Sequence, residues 1–217
     1  MPTIQSILSV LLAGFALSAT PGPSMLYVLS HSIGQSRAAG LASAFGLCLG
    51  GIVLAIATAF GLAAVFSSFD WLVIVLRYVG SAYLIWLGVS MILNARSEAR
   101  AELTVRAASP RSLLSIVRQG VLVEVLNPKT VLFFALFLPP FVGVNEVRVD
   151  AGSVTLQLLI LGSLVPLTAV PSDIAVALLG GTMAKTINCK KAAREVMGWI
   201  GGLLLIGIAL SLHVEVF

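Results

Sequence analysis

The sequence is poor in charge and in the side chains of common catalytic sites. Only 10% of its 217 residues are Asp, Glu, Lys or Arg, against roughly a quarter in soluble globular proteins. The two histidines, His31 and His213, fall at opposite membrane faces of the predicted topology. They therefore exclude a His-Glu-x-x-His zinc site and a Ser-His-Asp arrangement. The chain also lacks a Walker-type glycine loop, which excludes an ATP-driven pump within it.

The two cysteines carry no recognisable redox or metal motif. Cys48 and Cys189 lie in different segments and form no Cys-x-x-Cys pair. We therefore interpret both as small side chains packed among helices. With no catalytic or metal-binding pattern, the sequence predicts neither an enzyme nor a cofactor.

Apolar residues dominate instead and predict an all-α integral membrane protein. They make up 59% of the chain, and the mean hydropathy is +1.06. A helix that spans a bilayer needs about 20 predominantly apolar residues, so the chain has room for six spans. The net charge of +4 comes from basic residues in short loops, so it indicates no nucleic-acid partner. We predict one transmembrane domain, residues 1–217, with spans at 4–29, 38–66, 71–93, 120–142, 153–181 and 196–214.

The distribution of Lys and Arg predicts how these spans are oriented. Nine of the 13 basic residues lie in the loops after spans one, three and five, whereas Arg148 alone lies in a loop on the opposite side. The positive-inside rule then places these three loops in the cytoplasm and both termini outside it. Because each half has three spans, the halves 1–94 and 112–217 would form an inverted repeat.

Two proline motifs interrupt predicted spans at matching places in the two halves. Pro21, Gly22 and Pro23 break span one, and Asn127-Pro128-Lys129 breaks span four. A broken helix exposes carbonyl groups at one end and amide donors at the other, which suits a zwitterion. The alternative is a pair of kinks that only shape the bundle.

Three ionisable residues lie inside predicted spans and are candidates for function. Lys129 is costly near the middle of a span and should face the interior. Glu124 lies five residues before it, either to pair with Lys129 or to meet a substrate ammonium. Asp173, after Pro171 in span five, is the candidate for proton coupling. Its alternative role is a structural carboxylate paired with Lys129 or Arg77.

Glycine spacing indicates close helix contacts. Gly46 and Gly50 in span two form a G-x-x-x-G pattern, as do Gly198 and Gly202 in span six. Such pairs let helix backbones approach each other closely. Packing within the bundle accounts for them, and the pattern at Gly46 and Gly50 also permits a homodimer.

Several motifs occur in a characteristic order along the chain. They are Ala19-Thr20-Pro21-Gly22-Pro23, Gly80-Ser81-Ala82-Tyr83-Leu84-Ile85-Trp86-Leu87-Gly88, Asn127-Pro128-Lys129, Phe133-Phe134 and Pro139. Together they resemble the LysE/RhtB family of bacterial amino acid exporters. The resemblance implies a multi-pass bacterial inner-membrane protein that expels amino acids or close derivatives in exchange for protons. It assigns substrate binding to the two proline motifs and proton coupling to Asp173. Glu124 departs from the family pattern, which more usually has an uncharged polar residue there, and an extra carboxylate would favour cationic substrates.

Taken together, these features predict a secondary transporter that exports amino acids by alternating access, with protons as the coupling ion. One alternative is a metal-ion exporter of similar architecture, although Glu124, Asp173 and Cys48 are scattered in the sequence. Another is a membrane scaffold subunit without transport. A scaffold, however, would gain nothing from the cost of an interior Lys129.

Overall fold

A computed structural model describes residues 2–19, 22–68, 70–100, 109–142, 151–189 and 191–214. These residues form helices joined by short connections and contain no β-strand. The α-helices are α1 (Ile4–Ala19), α2 (Pro23–Gly34), α3 (Arg37–Ser68), α4 (Asp70–Arg100), α5 (Leu113–Val125), α6 (Pro128–Leu132), α7 (Ala151–Cys189) and α8 (Lys191–Val214).

Both proline motifs coincide with helix breaks. α1 ends at Ala19 and α2 begins at Pro23, and the axes of the two helices differ by 54°. α5 ends at Val125, α6 begins at Pro128, and the bend there is 49°. Proline cannot donate a backbone hydrogen bond and is tolerated in the first turn of a helix. The helix after each break accordingly begins with a proline.

Three single helices of the described chain are long and apolar enough to cross a bilayer. Their apolar parts are Arg37–Leu62 in α3, Tyr78–Ser97 in α4 and Gly152–Gly180 in α7. The bent pairs α1 with α2 and α5 with α6 would raise the number to five if each pair is one span. The apolar part of α8, Gly198–Ser211, is shorter than these.

The fourth apolar segment, residues 113–142, changes helix type along its length. α5 begins at Leu113 and continues through Gly120 without interruption. After α6, residues Phe133–Phe137 form a π-helical turn and Pro139–Phe141 a 3₁₀ turn. Phe133, Phe134 and Phe137 of the π-helical turn are fully buried in the main apolar core.

Glycines bring α3 into close contact with α5 inside one chain. A Cβ added at Gly46 would collide with the carbonyl of Val117 and approach Gly120. One added at Gly50 would lie 2.7 Å from the Cβ of Glu124. Since contacts this close leave no room for a side chain, the face of α3 that carries Gly46 and Gly50 packs within the chain.

The other G-x-x-x-G pattern joins α8 to α4 in the same way. A Cβ at Gly202 would lie 2.5 Å from the carbonyl oxygen of Gly88, and one at Gly198 would lie 2.9 Å from the Cβ of Ala95. α3 packs mainly on α7 and α5, and α4 mainly on α8. Large apolar side chains cover the outside, as expected where lipid is the solvent; among them are Phe15, Phe45, Phe60, Trp86, Trp199 and Leu203.

Candidate functional site

A cavity of about 70 Å³ lies where the two broken helices meet α3 and α7. α1 and α2 line one side, α5 and α6 another, and α3 and α7 the remainder. The lining side chains with charge or a reactive group are Cys48, Glu124, Lys129 and Asp173.

Lys129 ties the second break to the first. Its ammonium group donates a 2.9 Å hydrogen bond to the carbonyl oxygen of Leu17, in the last turn of α1. Carbonyls in the last turn of a helix have no partner within the helix and carry the negative end of its dipole. The charge of Lys129 is therefore stabilised by a carbonyl at the C-terminal end of α1.

Glu124 forms a second link, from the last turn of α5 to the start of α2. Its Oε2 accepts a 2.5 Å hydrogen bond from the hydroxyl of Ser24, and its Oε1 accepts one of 2.9 Å from Thr130. The Ser24 hydroxyl in turn accepts a 3.0 Å bond from the amide of Asn127. Four residues from both breaks thus form one hydrogen-bonded group, which we call the brace: Ser24, Glu124, Asn127 and Thr130.

The two restarted helices differ at their first turns. Asn127 caps α6, because its Oδ1 accepts the backbone N–H of Lys129 at 3.1 Å. Gly22 stands at the same place before α2 and has no side chain with which to cap it. Gly22, Ser24 and Met25 line the cavity, so the first turn of α2 supplies backbone donors and the positive end of a helix dipole there.

Asp173 reaches the cavity from α7. Its ionisable neighbours are Glu124, whose negative charge acts on it, and Cys48. Within the described part of the chain, no group donates a hydrogen bond to its carboxylate. The described lining of the cavity therefore combines the positive charge of Lys129 and the first turn of α2 with the negative charges of Glu124 and Asp173.

The structure brings together five of the eight residues predicted for the site. Gly22, Glu124, Asn127, Lys129 and Asp173 all line the cavity. Pro23 and Pro128 are exposed and begin α2 and α6, so their part is to set where the helices restart. Pro21 lies outside the described residues, as does the side chain of Arg77, the alternative partner of Asp173.

Sequence reasoning missed two members of the brace. Ser24 and Thr130 are 106 residues apart, and each follows a helix-starting proline by one or two positions. The signal in the sequence that could have revealed them was a hydroxyl residue in the first turn after each of Pro23 and Pro128, together with the acid Glu124. As for metal ions, no group of three or more His, Cys, Asp or Glu side chains suited to one was found in the described residues.

Comparisons with known proteins agree on a membrane protein family. An uncharacterized membrane protein of Pseudomonas aeruginosa is 37% identical over 123 residues, which cover 56% of this chain and 57% of that protein. One of Synechocystis sp. is 29% identical over 97% of both chains. A leucine efflux protein of Enterobacter sp. is 27% identical over 91% of this chain and 90% of its own.

No solved structure matches the chain. A family model described as LysE type translocator matches residues 15–216, which include both helix breaks and every lining residue except Gly14. The resemblance noted in the sequence is thereby confirmed. This chain is a membrane protein of the LysE type translocator family, a family of transporters and not of enzymes.

Proposed function

We propose that this protein exports amino acids or close derivatives from the bacterial cytoplasm in exchange for protons. The observation that carries the proposal is a small cavity lined by charges of both signs, built where two helices break. An amino acid is a zwitterion, so it needs a cationic and an anionic region a few ångströms apart. The leucine efflux protein of Enterobacter sp. supports this substrate class, since it aligns over 91% of the chain.

The charges favour one orientation of the substrate. The carboxylate would lie toward Lys129 and the uncapped first turn of α2, where donors and a positive dipole end meet. The ammonium would lie toward Asp173, because both oxygens of Glu124 already accept hydrogen bonds within the brace. Cys48, Met25 and other apolar lining groups would surround the side chain.

We propose six spans in two inverted halves, with both termini periplasmic. Hydrogen bonds between two pairs of chain segments are consistent with this arrangement. The Gln35 side chain bonds both backbone groups of Arg111, which joins the turn after α2 to the segment before α5. Ser6, near the start of α1, donates to the carbonyl of Phe141, at the end of the fourth apolar segment. Alkaline phosphatase fused to the C-terminus should then be active, and a fluorescent protein fused there should not fold.

Alternating access would act on the same contacts. α1 and α6 are joined by Lys129, and α2 and α5 by the brace. Opening toward one side must therefore weaken at least one of these links.

The test is release of labelled amino acids from preloaded proteoliposomes, with and without a pH gradient. Neutral, basic and acidic amino acids are compared, because Glu124 leaves the preferred charge of the substrate open. We expect gradient-driven release of one class, lost in Lys129→Gln and retained in Arg37→Gln, a basic residue outside the cavity. Release of divalent metal ions instead would favour the metal exporter, and release of neither would favour the scaffold.

A further inference from the structure

Two carboxylates line the cavity, but their surroundings differ. Each oxygen of Glu124 accepts a hydrogen bond from a hydroxyl group, of Ser24 at 2.5 Å and of Thr130 at 2.9 Å. These bonds stabilise the negative charge and hold the side chain between α2 and α6. Glu124 is thus a positioning residue, which keeps the brace together.

Asp173 has no comparable support. In the portion of the chain that the structure describes, neither a hydroxyl nor an N–H group donates to it. The ionisable groups that line the cavity with it are Cys48 on α3, Glu124 on α5 and Lys129 on α6. The lining residues that α1 and α2 contribute carry no ionisable side chain. The ammonium of Lys129 donates to the Leu17 carbonyl of α1, and Glu124 is held by its two hydroxyl donors.

The Asp173 carboxylate is the one in the described cavity lining that is left to bind a further cation, because both oxygens of Glu124 already accept hydrogen bonds. A proton can bind there when the cavity is empty, and a substrate ammonium can bind there when the cavity is occupied. Because both cations bind to the same carboxylate, they compete for one place.

We propose that Asp173 is a shared cation site, which binds either a proton or the substrate ammonium. This inference rests on the proposed function and goes further, since it makes one residue responsible for both affinity and coupling. When a protonated amine binds, the Asp173 carboxylic acid loses its proton to water and its carboxylate pairs with the ammonium. One substrate is therefore exchanged for one proton. It follows that a substrate needs a free amino group.

The primary test measures protons released when substrate binds to the purified full chain in weakly buffered detergent solution. L-leucine is the probe, L-lysine and L-glutamate follow it, and N-acetyl-L-leucine is the matched control without an ammonium. We expect about one proton released for each leucine bound and none with the control. Apparent affinity should fall about tenfold for each unit of pH on the acidic side, as competition with one proton requires.

Variants assign the released proton to its residue. Asp173→Asn should abolish proton release and the pH dependence of binding, and should weaken leucine binding. Glu195→Gln, an acid on α8 away from the cavity, is the matched control and should behave as the parent. Asp173→Asn that binds leucine with unchanged affinity and pH dependence would overturn the inference.

Binding and proton release measured on the parent protein test the inference even if Asp173→Asn fails to fold. Leucine binding without proton release, or equal binding of N-acetyl-L-leucine, would overturn the shared site and leave amino acid export standing. Binding of none of the three amino acids would remove the proposed function and, with it, the inference. The two failures are therefore distinguishable.

Discussion

Removing the Ser24 hydroxyl should destabilise the protein more than the small size of this group suggests. In Ser24→Ala, Glu124 loses its 2.5 Å donor and the Asn127 amide loses its acceptor. Side-chain hydrogen bonds between membrane helices average about 0.6 kcal/mol and reach about 1.7 kcal/mol. We assign the upper value to the bond with the charged Glu124 and the average to the bond with Asn127. The expected loss is then about 2.3 kcal/mol.

For a chain of this length, such a loss lowers the thermal midpoint by roughly 5–9 °C. Thermal unfolding of the purified protein in detergent measures it. Ser30→Ala is the matched control: the same change on the same helix, where the hydroxyl donates only to the Tyr27 carbonyl within α2. A hydroxyl bonded to its own helix stabilises little, so the control should stay close to the parent. Equal midpoints for Ser24→Ala and Ser30→Ala would refute the reasoning.

A double-mutant cycle with Glu124→Gln gives an independent check of the same bond. If Ser24 acts through Glu124, the two changes together should cost less than the sum of the separate changes. Strict additivity would mean that the hydroxyl stabilises the fold by another route. That result would contradict the brace as described.

Two further predictions concern packing and the cavity. Gly80→Ala should cost about 1–3 kcal/mol of stability, because its methyl would collide with the Leu136 carbonyl. Gly207→Ala, with nothing within 4 Å of the new methyl, should be neutral or slightly stabilising. In a Cys189→Ser background, substrate should slow labelling of Cys48 by a small methanethiosulfonate, because the thiol lines the cavity. Labelling at an unchanged rate under saturating substrate would contradict the location of the site.

The breaks were predictable because their causes are local. Proline alone does not mark a break, since Pro166 and Pro171 lie inside the continuous α7. Gly22 before Pro23 and the capping Asn127 before Pro128 add the local signal of a helix start. The placement of Lys129 in the interior followed from the cost of a charge in lipid, and its ammonium does bond to a carbonyl inside the bundle. The topology and the roles in transport stay predictions.

Partners across the fold could not be read from the sequence. The spacing of Gly46 and Gly50 predicted a close helix contact, either with another helix of the same chain or with a second copy of the protein. In the structure, α5 packs against these two glycines. Glu124 was expected near Lys129 because only neighbours in sequence can be judged in advance. Its donor Ser24 is 100 residues away, and nothing local marks that pairing.

The bond between Lys129 and the Leu17 carbonyl also implies an order of biogenesis. The two residues are 112 positions apart, so α1 is synthesised well before Lys129. Until it reaches that carbonyl, a lysine at mid-membrane costs about 2.5–3.5 kcal/mol on the scale of the insertion machinery. Contact with the end of α1 would then lower the cost of inserting the segment that carries Lys129.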